Sequence, residues 1–259
     1  MKYTREMEAA KKAAVLAGKA IMEIYESDDF GVEVKADNSP LTKADKASND
    51  IIVKMLREEF PEYAILSEEE KDSKERLNND YCFVIDPLDG TKEFVKRNGQ
   101  FTVNIALSYQ HKSVMGVIYV PVTEELYYAQ EEGGSFLEKD GVVTELHVSK
   151  EKKEKCDLNV VMSNSHGAPE MEALREKYQF KNLVKAGSSL KGCMIAKGVA
   201  DVYYRHNPTM EWDTAAMQCI VEEAGGIFRQ MNDTNMCYNR ENSLNDKGFY
   251  ILNDWDNKL

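Results

Sequence analysis

Three features of the sequence predict an α/β fold of the mixed α+β kind. Between residues 4 and 25, apolar side chains fall at Met7, Ala10, Ala14, Ala17, Ile21 and Ile24, three and four apart with charges between, the stripe of an amphipathic helix. Residues 101–148 are a run of β-rich stretches punctuated by Gly133-Gly134 and Asp140-Gly141, the pattern of an antiparallel sheet. The last third alternates strand-like with helical stretches, which points to helices layered on a second sheet.

After the first helix, residues 32–36 alternate like a short strand and Asp37-Asn38-Ser39-Pro40 reads as a turn. A second helix starts near Asp45, with Ala47, Ile51, Ile52, Met55 and Leu56 on one face, and stops before Pro61. Residues 64–67 read as a buried strand running into Glu68-Glu69-Glu70, which is either a solvated loop or part of a site. Over residues 82–94 a strand, an acidic turn and a helix start are expected. Strands follow at 101–109, 114–120, 126–129, 135–137 and 142–148, then a solvated charged connection at 150–155. Further on, strands at 158–162, 183–186, 201–204, 226–230 and 249–252 interleave with helices at 169–178, 190–196 and 213–224. The expected organisation is one compact unit, with residues 1–150 an N-terminal α+β part carrying the acidic motif and 151–259 a C-terminal α/β part. Neither repeats nor a Pro- or Gly-rich linker interrupt it.

With 259 residues and 42% hydrophobic content the chain can bury a substantial core. Its formal net charge of −12, from 45 acids against 33 Lys and Arg, repels nucleic-acid polymers and anionic membranes. An anionic small molecule must therefore be drawn in by local cations. The five cysteines are odd in number, widely spaced and without a C-x-x-C pair, so neither a disulfide framework nor a zinc site is expected. No apolar signal region or membrane span stands out, which points to the cytoplasm, with peripheral association at the inner membrane left open.

The chemistry concentrates in Asp86-Pro87-Leu88-Asp89-Gly90-Thr91. Pro87 disfavours helical geometry at Asp86, and Gly90 permits a positive φ and a close approach to a ligand. Two carboxylates held so close repel unless cations sit between them, and oxygen-only ligands suit Mg²⁺. The N–H groups of Gly90 and Thr91 open onto a helix start, a favourable place for phosphate. A solvated hairpin tip would also use Asp-Gly, but at roughly 5 to 7% background usage per residue the five fixed positions arise by chance in well under one in ~1000 such chains. Asp45 suits a first helical turn and Asp213, in Glu211-Trp212-Asp213-Thr214, an N-cap. Together with Glu68, Asp86 and Asp89 they bring five carboxylates from separate segments, several at strand-to-helix junctions where α/β sites form.

Asp86-Pro87-Leu88-Asp89-Gly90-Thr91, Ser67-Glu68-Glu69 and Trp212-Asp213-Thr214-Ala215-Ala216 resemble the signatures of the Mg²⁺-dependent, lithium-sensitive phosphatases related to inositol monophosphatase. The resemblance runs over nearly the whole chain and implies a layered α-β-α-β-α sandwich. Within that superfamily, the stretch from Lys92 to Gly99, Phe101-Thr102-Val103-Asn104-Ile105-Ala106-Leu107 and Gly187-Ser188-Ser189-Leu190-Lys191 look like the bacterial 3'(2'),5'-bisphosphate nucleotidases. Glu93, Lys191 and Arg205 set them apart from the inositol enzymes, and the two cations suit a second phosphate. Glu211, His206 and Asn164 depart from the subgroup pattern.

The resemblance implies that Glu68, Asp86, the Leu88 carbonyl, Asp89 and Asp213 ligate two or three Mg²⁺ ions. Asp86 would bridge two of them, with Glu68 on the water side and Asp89 and Asp213 on the leaving-group side. Thr91, hydrogen-bonded to Asp45, would activate the attacking water. Gly90 and Thr91 would hold the phosphate, and Ser188, Lys191 and Arg205 the nucleotide and its 5'-phosphate, with His166 nearby; as a lone loop histidine, His166 is otherwise simply solvated. The implied reaction removes the 3'-phosphate of 3'-phosphoadenosine 5'-phosphate, or of its 5'-phosphosulfate analogue, in a monomer or homodimer. Two other readings compete with it. One is a phosphatase for inositol or sugar phosphates; the other is a catalytically silent cation-binding regulator, against which the presence of both Thr91 and Asp45 speaks.

Overall fold

The computed structural model of the chain describes residues 2–27, 29–34, 40–163 and 168–259. Helix α1 (Thr4–Tyr25) leads through a short antiparallel pair, β1 (Glu33–Val34) and β2 (Pro40–Leu41), into helix α2 (Lys43–Glu59). Next come β3 (Ala64–Ser67), β4 (Tyr81–Asp89), the short helix α3 (Thr91–Val95), β5 (Thr102–Tyr109), β6 (Lys112–Val120), β7 (Glu125–Gln130), β8 (Ser135–Lys139) and β9 (Val142–Glu145). Their seven strands form one sheet in chain order, parallel at β3–β4 and antiparallel thereafter. The last third supplies β10 (Asn159–Ser163), α4 (Pro169–Tyr178), β11 (Asn182–Ala186), α5 (Leu190–Ala196), β12 (Val202–Arg205), β13 (Thr209–Met210), α6 (Glu211–Glu223), β14 (Ile227–Gln230), β15 (Leu244–Asn245) and β16 (Phe249–Leu252). Five of these strands make a second sheet in the order β11-β10-β12-β16-β14, and β13 pairs with β15 apart from it. Among the described residues no helix is long and apolar enough to cross a membrane.

Period-two alternation along the central strands produces the layering. Phe83 and Ile85 of β4 and Val103, Ile105 and Leu107 of β5 share one buried cluster with the α1 stripe of Ala10, Ala14, Ala17 and Ile21 and with Ile52 and Leu56 of α2. Their neighbours Cys82, Val84 and Ala106 point the other way, into a cluster with Cys193 of α5, Met217 and Ile220 of α6, and Val161, Tyr203 and Ile251 of the second sheet. The far face of that sheet, with Val160, Val202, Tyr250 and Leu252, is covered through Met171 and Leu174 of α4. The order is therefore α1/α2, seven-stranded sheet, α5/α6, five-stranded sheet, α4: the α-β-α-β-α sandwich. At roughly 1.5–3 kcal/mol for each large side chain removed from water, these three clusters hold the layers together. The middle helix layer lies directly on the first sheet at Gly116, where a Cβ would meet the Ala216 carbonyl oxygen at 2.4 Å.

Three differences from the sequence expectations stand out. Instead of turning after Ile85, β4 continues to Asp89: Asp86 pairs with Asn104 and Asp89 with Thr102, three residues spanned against two. The extra residue makes a bulge, which accommodates Pro87 because that residue has no N–H to give a regular ladder. Second, α6 begins at Glu211, so Met210 is the N-cap and Asp213 lies in the first turn. Third, β9 ends at Glu145, short of Val148. Three of the five thiols are buried (Cys82, Cys193, Cys219), while Cys156 is half-buried and Cys237 exposed. Of the strand expected over 32–36, β1 covers Glu33–Val34, and Pro40, expected to close a turn over 37–40, instead begins β2; residues 35–39 lie outside the described residues.

Candidate active site

The bulge of β4 aims two carboxylates into one cavity, and the first turn of α6 brings a third. Carboxylate oxygens of Asp86, Asp89 and Asp213 lie within 4.8 Å of one another. Each is fixed by its own hydrogen bonds. Asp86 accepts the Leu88 N–H at 3.1 Å, closing the bulge on itself. Asp89 Oδ2 accepts Ser189 Oγ–H at 2.8 Å and Asn104 Nδ2–H at 3.3 Å. Asp213 Oδ2 accepts the Met210 N–H at 2.6 Å, so the carboxylate that caps α6 also belongs to the cage. Pro87 is held in turn by Ser48 of α2, whose hydroxyl donates to its carbonyl at 2.6 Å.

Such a cluster is electrostatically costly without a counter-charge. Burial, followed by repulsion from Glu68, Asp89, Asp213 and Asp45, pushes the Asp86 carboxyl well above its ordinary range. Burial and the neighbouring Asp89 push Asp213 up to about 7, and burial raises Asp89 against the pull of Lys191. The donors are all hard oxygens, with Glu68 lining the same cavity. The residues present therefore fit a divalent cation, which would remove the repulsion.

Thr91 sits just past Gly90, whose φ of +95° is open to glycine and costly for other residues. Its hydroxyl donates to Asp45 Oδ1 at 3.0 Å, while Asp45 Oδ2 accepts both the N–H and the hydroxyl of Thr42, at 2.7 and 2.6 Å. Asp45 thus serves both readings at once: one oxygen completes the capping box of α2 and the other holds Thr91.

The cavity of about 260 Å³ is walled by Glu68, Asp86, Leu88, Asp89, Gly90, Thr91 and Asp213 and also by Ser188, Lys191 and Arg205. Lys191 Nζ donates to the Ser188 carbonyl at 2.6 Å and lies 5.6 Å from the centre of the Tyr203 ring. Burial brings its pKa down to about 8, with Asp89 opposing and Arg205 adding to that fall. Ser188 Oγ and Arg205 Nε are buried without a hydrogen-bond partner among the described residues, and Ser188 holds a φ of +44° that strains a non-glycine backbone. Unsatisfied donors in a cavity wall are groups that a polar ligand would satisfy.

Nearly every site residue expected from sequence thus converges on one cavity, with Asp45 joined to it through Thr91. His166 lies outside the described residues. Sequence reading missed Ser189 and Asn104, which bond each other at 2.9 Å as well as Asp89. Both stand in stretches that resemblance had singled out, but their contact spans 85 positions and shows no local signal. Tyr203, under Lys191, was read only as part of a strand.

Five layers, with an acid cage at a bulge of the larger sheet, define an α/β protein built to hold a cation beside a polar cavity. The chain belongs to the inositol monophosphatase family, whose family model matches residues 3–257. It is 39% identical over 237 residues to a 3'(2'),5'-bisphosphate nucleotidase CysQ of Salmonella typhimurium, covering 91% of this chain and 94% of that protein. A protein of the same name from Buchnera aphidicola is 40% identical over 238 residues, covering 90% of this chain and 88% of that protein. Among solved structures, CysQ from Bacteroides thetaiotaomicron superposes with a TM-score of 0.84 at 41% identity, covering 96% of this chain and 97% of that one.

Proposed function

We propose that the chain is a Mg²⁺-dependent 3'(2'),5'-bisphosphate nucleotidase, removing the 3'-phosphate of 3'-phosphoadenosine 5'-phosphate to give AMP and phosphate, and acting also on the 5'-phosphosulfate analogue. The observation that carries this reading is the pairing, in one cavity, of an acid cage with the buried Lys191 and the half-buried Arg205. Acids can place a metal against the reacting phosphate, whereas the cations suit a second anionic group that does not react. The likeness to CysQ proteins supports the same choice of substrate.

Asp86, Asp89, Asp213, Glu68 and the Leu88 carbonyl would hold two or three Mg²⁺ ions. Bound there, the ions lower the pKa of water and neutralise charge on the attacking and leaving oxygens. The chain's own groups do the rest. Because the Thr91 hydroxyl gives its proton to Asp45, its lone pairs remain to accept one from the attacking water. Asp45 keeps its acceptor character through the two Thr42 donors opposite. Gly90 and Thr91 N–H groups would steady the phosphate oxygens, and Ser188, Lys191 and Arg205 would bind the nucleotide and its 5'-phosphate, with His166 beside it.

The direct test compares phosphate release from the bisphosphate nucleotide and from inositol 1-phosphate, with Mg²⁺ and with EDTA. Release from the nucleotide that stops in EDTA is expected; faster turnover of the inositol ester returns the protein to the other branch, and no release from either substrate makes it a silent cation binder. Lithium chloride is expected to slow the Mg²⁺ reaction relative to potassium chloride. A small hard cation with one charge fewer can enter an oxygen cage yet neutralises a leaving group poorly. Equal rates at matched ionic strength, up to roughly tens of millimolar, would count against that.

A further inference from the structure

Glu211, which the sequence marks as out of pattern, is fully buried at the first position of α6, two residues before Asp213. Its carboxylate accepts the N–H groups of Asn239 and Arg240 at 2.6 and 3.0 Å and the Arg240 Nε–H at 3.1 Å. Arg240 reaches on to Asn245 Oδ1 at 2.6 Å, and Asn245 donates back to the carbonyl of Met210, the N-cap of α6, at 2.8 Å. The first turn of α6 is thereby gripped from both sides by residues 239–245. The network continues into a second segment: Arg76 donates to Asn239 Oδ1 at 2.8 Å, and Asn239 donates to the Arg76 carbonyl at 3.1 Å. Arg76 lies in the segment between Glu68 and β4, the strand that carries Asp86 and Asp89.

Two elements that approach the cavity from distant parts of the chain are therefore joined beneath it by buried, charge-assisted hydrogen bonds. A like-charged cage tends to spread, since Asp213, Asp86 and Asp89 repel one another. We infer that Glu211 and Arg240 are positioning residues for the metal cage: their ion pair fixes the first turn of α6 so that Asp213 stays within reach of the cation shared with Asp86 and Asp89. The inference rests on Asp213 being a metal ligand and needs no assumption about the organic substrate.

Manganous ion alone, titrated calorimetrically into the folded protein with no substrate, tests it. Glu211→Gln keeps the volume and removes the charge; Arg240→Met keeps the stem and removes the cation. Each is expected to weaken Mn²⁺ binding about tenfold, the usual scale for groups that orient a metal ligand. Lys153→Met is the control: it breaks another partly buried pair, Lys153–Asp201 at 2.9 Å, that touches none of the acids of the cage. It is expected to lower the melting temperature while leaving Mn²⁺ affinity unchanged. Binding by both network variants within about twofold of the parent overturns the inference, as does an equal loss in the control. If Glu211→Gln does not fold, Arg240→Met decides; if neither folds, the network serves folding and the inference falls. Asp213→Asn separates the two levels. Undiminished Mn²⁺ binding by that variant removes the cage reading itself, whereas its loss beside intact binding in Glu211→Gln removes only the role of the network.

Discussion

Asp89→Asn is expected to abolish turnover and to leave the fold intact. The substitution keeps volume and shape, and an amide oxygen can still accept from Ser189 and Asn104, which hold Asp89 Oδ2 at 2.8 and 3.3 Å. What disappears is one negative charge of the acid cluster; if that charge helps hold the ion proposed beside the leaving oxygen, the loss is several kcal/mol of barrier and so on the order of a thousandfold or more in rate. Stability is expected to move the other way. Burial raises the Asp89 carboxyl above its ordinary value, so at neutral pH its ionised form opposes folding of the metal-free protein. In EDTA the neutral variant should therefore melt at or above the parent temperature. Activity above about a tenth of the parent in Mg²⁺ would remove Asp89 from the cage.

Arg205→Ala is expected to change which substrate the protein prefers. Arg205 ends β12, beside the Lys191–Tyr203 contact, and its buried Nε–H has no partner among the described residues. If it grips the 5'-phosphate, the variant loses a charge-assisted contact worth roughly 1.5 to 3 kcal/mol, about 10- to 150-fold in kcat/KM. That contact exists in the ground state and the transition state alike, so the loss should fall mainly on KM. Hydrolysis of 3'-AMP, which has no 5'-phosphate, should scarcely change. An equal fall for both substrates would mean that Arg205 serves the cage or the fold, and the preference for a bisphosphate nucleotide would lose its physical ground.

The sequence by itself determined the elements and the chemistry of the acidic motif. The α1 stripe is legible because burial on one face of a helix repeats every three or four residues, and the central strands because burial alternates every second one. Gly90 and Pro87 announce an irregular backbone through their own stereochemistry, and two carboxylates three residues apart announce a cation. Three things were decided only by tertiary structure. The register of β4 against β5 turned an expected turn into a bulge, since pairing with Asn104 and Thr102 depends on a strand that comes later. The partners of Asp89, Ser189 and Asn104, meet across 85 positions, and the grip of Glu211 on Asn239 and Arg240 spans 28 and 29. Local patterns record which face of an element is buried; hydrogen bonds between distant segments depend on how the layers stack, and that is settled when the whole core is packed.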